Sequence, residues 1–365
     1  MRSRSSKSSL PPSGSSSDVA ARLLKLLSTC PADRPLPTTR ALGQRLGVAN
    51  TTVYRLLQER AGAGDLWQHP TSGRYYPAAA RLIFDRPKPV ACLTRCLELA
   101  SEQYREILEG INSQCGTLHR AMLLWYDDLL VKHPATQDAP IFANPREQRL
   151  ILSGFLDRHG SSTGGFILDH TWSDEALRSF GERLQPAVVL FRSCELPNFA
   201  NVRANFRVGS LMALTHLLGR GYERIVPVLP FEGDPAVDEF FVALAAAADE
   251  AGCRDRLEPL ARATTPAERA ALVAALKNEP RRTALICPED NVSLFLSSAV
   301  RAAGVKCPQR IGLLSAMGTD FASRAGMTHL RHDFRAMGRL ALDALAMDKP
   351  VRHTLEPQLS PGNTT

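Results

Sequence analysis

Residues 36–77 read LPTTRALGQRLGVANTTVYRLLQERAGAGDLWQHPTSGRYYP and decide the fold of the N-terminal part of the chain. The spacing of apolar residues predicts one helix over 39–46, a second over 50–60, and a small hairpin over 66–76. Gly47 stands between the two helices and suits the left-handed residue that ends one helix and lets the next leave at a steep angle. The pattern therefore predicts helix, turn, helix and wing.

Each of the two helices carries an apolar stripe. Leu42 and Leu46 share one face of the first, and Val53, Leu56 and Leu57 share one face of the second. The polar side chains left over on the second helix are Asn50, Thr51, Thr52, Tyr54 and Arg55. Hydroxyl, amide and guanidinium groups at the start of such a helix suit the edges of bases in a DNA major groove.

Positive charge is concentrated in the same region. Residues 1–90 hold 14 Lys and Arg against 5 Asp and Glu, a net charge of +9, whereas the remaining residues hold 30 against 32, a net charge of −2. Basic side chains release counterions from nucleic-acid phosphates. The segregation of charge therefore favours a polyanion partner for the N-terminal region.

Four ordered motifs of this stretch resemble the winged-helix domain of the GntR family of bacterial transcription regulators. They are Leu36-Pro-Thr-Thr-Arg40, Leu46-Gly-Val48, Thr51-Thr-Val53 and Ser72-Gly73. The resemblance implies that Arg40, Thr51, Thr52 and Gly73 contact DNA. Together with the residue chemistry it gives these DNA-binding candidates: Arg40, Asn50, Thr51, Thr52, Tyr54, Arg55, Ser72, Gly73 and Arg74.

The chain departs from that family just before the second helix. Ala49 and Asn50 stand where the family usually has Ser-Arg, so the N-cap is either lost or moved to Asn50. An Asn that reaches a base favours adenine, whereas an Arg favours guanine. Tyr54 also replaces a frequent Arg, so the operator sequence does not transfer from relatives. A winged helix used only for protein docking is the other interpretation of this stretch.

Composition divides the chain into five parts. Ser-rich residues 1–16 predict a disordered arm, and a helix over 18–29 completes a DNA-binding domain at 17–78. A linker with basic residues and prolines follows at 79–89. From there to residue 358, short apolar runs, such as a predicted strand over 187–191, alternate with amphipathic stretches, such as a predicted helix over 174–184. This alternation predicts an α/β domain with parallel sheets. Residues 359–365 are left as a tail.

Two segments of the α/β region resemble the ligand-binding domain of LacI and GalR regulators. They are residues 206–225, FRVGSLMALTHLLGRGYERI, and residues 328–339, THLRHDFRAMGR. The resemblance implies a two-lobed periplasmic-binding-protein-like fold over 90–358, with the last helix returning to the first lobe. It also implies an effector in the interlobe cleft and a homodimer through the lobes. Pro227 predicts an edge, a bulge or a shortened end in its strand.

Effector candidates come from the carboxyl ends of the predicted strands, where doubly wound sheets bind ligands. The candidates at these ends are Arg95, Tyr126, His170, Glu289 and Asp290, and the resemblance implies two more, His332 and Phe334. The alternative role of Asp290 is to cap the helix that begins there. The alternative for His170 is that of a hydrogen-bonded loop histidine. The resemblance supports Glu289-Asp290 and His332-Asp-Phe334, which match Asn-Asp and Gln-Asp-Phe of the family.

Two features that often grip sugars in that family are missing. Residues 231–253 contain neither Arg nor Lys, and Ser315-Ala-Met-Gly318 stands where the family has Gly-Phe-Asp-Asp. Either the effector differs from the usual sugars, or the domain has drifted toward a role in dimerisation.

Other classes of function find little support. The chain lacks the phosphate-binding GK[ST] loop, HExxH, and a GxGxxG after a strand, so we expect neither an enzyme nor a cofactor. Eight scattered cysteines without metal-ligand spacing predict free thiols and no metal site. No apolar run suits a signal peptide or a membrane helix, which favours the cytoplasm.

Two hypotheses follow. In the first, the protein is an operator-binding repressor whose affinity for double-stranded DNA is modulated by a small molecule such as a sugar. In the alternative, it is a cytosolic ligand- or protein-binding dimer whose winged helix no longer reads DNA.

Overall fold

A computed structural model describes residues 16–31, 34–70, 72–81, 87–94, 102–127, 129–132 and 141–365. The chain forms two compact units, Met1–Pro87 and Lys88–Thr365. The predicted arm lies outside the described residues except for Ser16, and so do residues 82–86 of the predicted linker.

In the described residues of the N-terminal unit, three helices precede a two-stranded antiparallel sheet. Its elements are α1 (Ser16–Leu27), α2 (Thr39–Leu46), α3 (Asn50–Gly62), β1 (Leu66–Gln68) and β2 (Tyr75–Pro77). The apolar stripes meet in one small core that includes Leu23, Leu42, Val53 and Leu57. Burial of these stripes holds the three short helices together, because helices of this length are marginal on their own.

The turn between α2 and α3 is built as predicted. Gly47 has a φ of 70°, in the left-handed region, and Val48 N–H donates to the Gly43 carbonyl at 3.0 Å. The N-cap of α3 is Ala49, which makes no side-chain capping bond, and Asn50 is the first helical residue. The cap is therefore lost rather than moved to Asn50.

The C-terminal unit holds two six-stranded sheets and a short ribbon. Its strands are β3 (Val90–Thr94), β4 (Met122–Tyr126), β5 (Val131–Lys132), β6 (Ile141–Phe142), β7 (Phe166–Leu168), β8 (Ala187–Phe191), β9 (Ala200–Ala204), β10 (Arg224–Leu229), β11 (Ala261–Arg262), β12 (Thr283–Cys287), β13 (Ile311–Gly318), β14 (Thr328–Arg331), β15 (Arg352–Leu355) and β16 (Gln358–Ser360). Its helices are α4 (Glu102–Thr117), α5 (Pro145–His159), α6 (Asp174–Arg178), α7 (Phe206–Gly219), α8 (Pro235–Glu250), α9 (Pro266–Asn278), α10 (Asp290–Ala302), α11 (Asp320–Arg324) and α12 (Phe334–Leu345). Short 3-10 turns lie at Gly160–Ser162, Gly181–Leu184 and Arg254–Arg256.

The first lobe is a parallel sheet in the order β15-β9-β8-β7-β3-β4. Alternate residues of each strand point to opposite faces. Val90 and Cys92 pack toward α4 and α12, whereas Ala91 and Leu93 pack toward α5. Helices therefore cover both faces, which is why these strands are apolar throughout.

The second lobe is a sheet in the order β11-β10-β12-β13-β14-β16, parallel except for the antiparallel last strand. Ile225 and Ile286 pack with α7 and α8, whereas Val226 and Leu285 pack with α9 and α10. The predicted α/β class with two parallel-sheet lobes is confirmed.

The chain crosses between the lobes three times. The crossings lie between β9 and α7, between β14 and α12, and between β15 and β16. Helix α12 thus returns to the first lobe, as predicted. It packs against α4 so closely that a Cβ on Gly338 would lie 2.2 Å from the Ile107 carbonyl oxygen, and one on Gly110 would lie 2.1 Å from that of Arg335.

Some elements differ from prediction. The helix predicted over 174–184 is divided into α6 and a 3-10 turn that begins at Gly181, whose φ is 44°. The apolar runs of the sequence do not indicate the seven strands β5, β6, β9, β11, β14, β15 and β16. The residues set apart as a tail are part of the second lobe, because Leu359 pairs with Leu330 and Leu313 N–H donates to the Thr364 carbonyl at 2.8 Å.

Pro227 lies within β10, opposite Ile286 on one side. On the other side the pairing steps from Ile225–Leu257 to Val228–Ala261, so the three residues 258–260 lie opposite the two residues 226–227 of β10. This irregularity accommodates a residue that cannot donate a hydrogen bond. Within the described ranges, no helix combines the length and apolar character needed to cross a membrane.

Candidate functional site

The polar face of α3 is open to solvent. Asn50, Thr51, Tyr54 and Arg55 are exposed, and Thr52 is half-buried. The Arg55 guanidinium lies 3.9 Å from the Glu59 carboxylate, with 63% and 58% of the two side chains exposed. A pair this exposed contributes little to stability, so Arg55 can exchange Glu59 for another anion.

A glutamine connects this face to the hairpin. Gln58 Nε2 donates to the Tyr54 hydroxyl at 3.2 Å and to the Tyr75 hydroxyl at 2.6 Å. Burial, followed by the proximity of Tyr54, raises the pKa of Tyr75 although the bond from Gln58 opposes the change. Tyr75 therefore remains protonated and keeps a hydroxyl hydrogen of its own.

The tip of the hairpin is held by its own polar groups. Gly73 has a φ of 64°, and its carbonyl accepts from Gln68 Nε2 at 2.9 Å. Ser72 N–H donates to His69 Nδ1 at 3.2 Å. Arg74 is exposed at this tip, and Arg40 is exposed on the first turn of α2. The unit therefore presents candidate cations on α2, α3 and the hairpin.

In the C-terminal unit, the carboxyl end of β7 contacts the second lobe through His170. His170 Nε2 lies 2.9 Å from Asp234 Oδ2, and the Tyr104 hydroxyl lies 3.0 Å from His170 Nδ1. All three residues are at most 3% exposed. This buried chain of hydrogen bonds runs from α4 through the first lobe to the start of α8 in the second.

Asp234 also begins α8. Its Oδ1 accepts from Ala236 N–H at 2.8 Å and from Val237 N–H at 3.3 Å. One turn further on, Glu239 accepts from the Ser193 backbone N–H at 2.7 Å and from the Ser193 hydroxyl at 2.6 Å. Two carboxylates of one helix thus bind the strand ends of the opposite lobe.

Phe191 stands at the centre of this region in an unusual backbone conformation. Its φ is 73°, and Arg192 N–H donates to the Leu190 carbonyl at 2.9 Å, which forms a γ-turn. A left-handed aromatic residue costs on the order of 1–3 kcal/mol, and such strain often marks functional sites. The ring of Phe191 contacts those of His170, His332 and Phe334 at centroid distances of 5.4, 6.0 and 5.5 Å.

His332 is buried and neutral. Its Nε2 donates to the Ala316 carbonyl at 3.2 Å, whereas Nδ1 has no hydrogen-bond partner among the residues that the structure describes. Burial lowers its pKa to about 4, although the bond to Ala316 opposes the change. Its Nδ1 lone pair is therefore an unused acceptor beside Phe191 and Phe334.

Asp290 has a structural role in the second lobe. Its carboxylate accepts from the Ser315 hydroxyl, and from the Thr319 N–H and hydroxyl at 3.0 and 2.7 Å. Burial raises its pKa, although these bonds oppose the rise. Glu289, the N-cap residue of α10, is half-buried and accepts from Asn291 Nδ2 at 3.2 Å. The Asp290 carboxylate ties the loop after β13 to α10 rather than capping α10.

The predicted effector residues are therefore only partly brought together. His170, His332 and Phe334 meet around Phe191, whereas Tyr126 is 46% exposed at the end of the edge strand β4. Arg95 lies outside the described residues. A cavity of about 10 Å³, with room for one water molecule, lies between Tyr104, Asp169, His170 and Phe191. That cavity is far smaller than a sugar.

Sequence reasoning missed Tyr104, Phe191, Ser193, Asp234 and Glu239. Asp234 carries a local signal, because an Asp followed by Pro just after a strand is typical of a helix N-terminus. That signal predicts the cap but not the contact with His170, which lies 64 residues away. Nothing in the sequence around Phe191 indicates a left-handed residue.

Comparison with known proteins identifies the fold of the C-terminal unit. Residues 214–365 match the family model of the periplasmic binding protein-like domain. A search of curated protein sequences found no match. Solved structures of regulators are similar to most of the chain.

A LacI transcriptional regulator from a Rhodococcus species is 20% identical, with a TM-score of 0.60 over 76% of this chain and 97% of its own. A LacI family regulator from Enterococcus faecium with bound ribose is 16% identical, with a TM-score of 0.60 over 76% and 98%. The transcriptional regulator CelR in complex with cellobiose is 18% identical, with a TM-score of 0.60 over 90% and 100%. The C-terminal unit therefore has the two-lobed periplasmic-binding-protein-like fold, with LacI-type regulators as structural neighbours.

Proposed function

We propose that this protein is a DNA-binding transcriptional regulator, acting as a repressor, whose operator affinity is modulated by a small molecule in the interlobe cleft. The observation that carries the proposal is the exposed polar face of α3, on the basic N-terminal unit of a chain with a periplasmic-binding-protein-like second unit. In this proposal α2, α3 and the hairpin form a GntR-type winged helix. The protein is not an enzyme and needs no cofactor.

The DNA-contacting residues fall into two groups. Asn50, Thr51, Tyr54 and Arg55 are exposed along the first two turns of α3, where major-groove readers contact bases. The outlying residues Arg40, Ser72, Gly73 and Arg74 are also exposed and would contact backbone phosphates or the minor groove. The outlying residues would fix the position of the winged-helix unit on the duplex, and the residues of α3 would set its base preference.

A homodimer through the lobes would place two winged-helix units on one duplex. The heads would then occupy major grooves about 34 Å apart, or a multiple of that distance, on a near-palindromic operator. Light scattering of the full chain measures this stoichiometry directly. A monomer at micromolar concentration that still binds a palindrome at 1:1 would contradict the dimer.

The effector we propose is a small polar molecule, with sugars as the first class to test. Two of the similar regulators hold ribose and cellobiose. In this chain His332 Nδ1 offers a buried acceptor for a hydroxyl, next to the rings of Phe191 and Phe334. Asp234 and Glu239 occupy a helix on which LacI-type regulators often carry an Arg, and here both bind the opposite lobe. An effector must therefore fit around these contacts or replace them.

The test of DNA binding is fluorescence anisotropy of the full-length protein with its own upstream DNA and with a random duplex of equal length. We expect tighter binding of the upstream DNA, with affinity falling by orders of magnitude between about 50 and 200 mM salt. If neither duplex binds at low salt, the head does not read DNA and the ligand- or protein-binding dimer becomes the better hypothesis.

The effector is tested by thermal shift against pentoses, hexoses and uronic acids. A ligand at about 100 times its dissociation constant stabilises the folded unit by about 2.7 kcal/mol. A true effector also changes the anisotropy titration, and coupling of this kind is typically about 1–3 kcal/mol. A ligand that raises the melting temperature and leaves operator affinity unchanged would contradict effector control.

A further inference from the structure

One side chain of the N-terminal unit connects the candidate reading helix to the hairpin. Gln58 lies on α3, one turn after Tyr54, and its Nε2 is 3.2 Å from the Tyr54 hydroxyl and 2.6 Å from the Tyr75 hydroxyl. Tyr75 lies on β2, 17 residues away from Gln58 along the chain. Its backbone carbonyl also accepts from Leu36 N–H at 2.8 Å, so β2 is anchored on both sides.

The Gln58 amide determines the direction of both hydrogen bonds. A glutamine NH2 group has two hydrogens and no acceptor on its nitrogen, so one hydrogen serves each phenol oxygen. Each tyrosine then acts as the acceptor and retains its own O–H. Tyr75 is 8% exposed, whereas Tyr54 is 54% exposed. The outward-facing group is therefore a Tyr54 hydroxyl that still has a hydrogen to donate.

We propose that Gln58 is a positioning residue for DNA recognition, which holds the Tyr54 hydroxyl as a hydrogen-bond donor and couples the reading helix to the hairpin. This inference rests on the proposed DNA-binding function. The partner of Tyr54 is then an acceptor on DNA. Acceptors of this kind are purine N7, guanine O6, thymine O4 and a phosphate oxygen, whereas the cytosine amino group is excluded.

The test is a double-mutant cycle between Tyr54→Phe and Gln58→Met in the full chain. Because each single variant loses one hydrogen bond, we expect it to lower the affinity for the selected operator by about 3- to 10-fold. Because Gln58 acts through Tyr54, the double variant should bind no more weakly than the weaker single variant. Gln358→Met, at an exposed glutamine of the second unit, is the matched control and should leave affinity unchanged.

The two kinds of acceptor are separated by comparing operator with random DNA. A base contact reduces operator affinity selectively and relaxes the preference at one base pair in a random-pool selection. A phosphate contact reduces both affinities equally. Either result, with non-additive variants, supports the positioning role. The positioning role is overturned if the losses of affinity in the two single variants multiply in the double variant. It is also overturned if Gln58→Met binds as the wild type does while Tyr54→Phe binds weakly.

A second measurement tests the coupling between α3 and the hairpin without DNA. Hydrogen exchange of the β1 and β2 amides in the full chain should be several-fold faster in Gln58→Met than in wild type, and Tyr75→Phe should have the same effect. Unchanged exchange in both variants removes the coupling between α3 and the hairpin. If the wild type binds no DNA while these exchange rates rise, the proposed function fails, Tyr54 has no acceptor on DNA to position, and only the structural bridge remains.

Discussion

The sharpest prediction about the C-terminal unit concerns Asp234, because its carboxylate both caps α8 and binds the opposite lobe. Asp234→Ala removes the cap, which is worth about 1 kcal/mol. It also leaves a buried nitrogen of His170 without its partner, which costs about 1–3 kcal/mol. We therefore expect the free energy of unfolding of this unit to fall by about 3 kcal/mol.

Asp234→Asn separates the two effects. Asparagine caps helices as well as aspartate does. Its amide NH2 can donate to His170 Nε2 if the histidine moves its proton to Nδ1 and donates to Tyr104 instead. Only the charge-assisted character of the bond is lost, so we expect about 1 kcal/mol of destabilisation. Asp238→Ala, at an exposed position on the same helix, is the matched control and should change stability by less than about 0.5 kcal/mol.

The assay is urea unfolding of the full chain combined with hydrogen exchange read on peptides of α8. Exchange reports the C-terminal unit separately from the N-terminal one, and the amides of Ala236 and Val237 should lose protection in Asp234→Ala. The reasoning is refuted if Asp234→Ala is no less stable than Asp238→Ala. It is also refuted if the Asn and Ala variants are equally destabilised, since the cap and the bond to His170 would then not explain the loss.

Further predictions concern pH, backbone geometry and DNA contact. The folded pKa of His332 is about 4 against an ordinary value of 6.5, so its contribution to stability is complete above pH 6.5 and is lost as pH falls toward 4. At about 1.4 kcal/mol per tenfold change in the dissociation constant, the loss is at most about 3.5 kcal/mol, and it should vanish from the stability–pH profile of His332→Gln. Gly47→Ala should cost about 1 kcal/mol in thermal unfolding, because a side chain meets no neighbour there but must adopt a φ of 70°. Gly338→Ala should cost about 3 kcal/mol or more, and wild-type stability would contradict the close approach to Ile107. Arg55→Ala should weaken operator binding and change base preference in anisotropy and random-pool selection, whereas an unchanged preference would remove Arg55 from the reading face.

Local patterns predicted the elements with strong periodicity. The bounds of α2 and β8 agree with those expected from apolar spacing, and the left-handed Gly47 follows from its position between two helices. Strand β15, with the sequence RHTL at a sheet edge, escaped prediction because its half-exposed polar residues interrupt any apolar run. Edge strands need fewer apolar residues than central ones, so sequence alone identifies them poorly.

The candidate site was predicted less well than the fold, and the reason is physical. Residues at strand ends can be named from the sequence, but their partners depend on how the lobes pack. His170 was identified as a candidate, while its partners Tyr104 and Asp234 lie 66 and 64 residues away. Asp290 was expected to line the pocket or cap a helix, and its carboxylate binds Ser315 and Thr319 instead. Long-range hydrogen bonds leave no local periodicity to detect.

The third crossing between the lobes has a consequence for biosynthesis. β15 completes the sheet of the first lobe, and β16, which begins three residues after β15 ends, completes the sheet of the second. Both sheets therefore lack an edge strand until residues 352–360 have been synthesised and have left the exit tunnel. Neither half can mature ahead of the other during translation, and a premature stop codon before Arg352 would expose two unpaired sheet edges at once. Nascent chains of this protein should consequently depend on chaperones until both β15 and β16 have emerged.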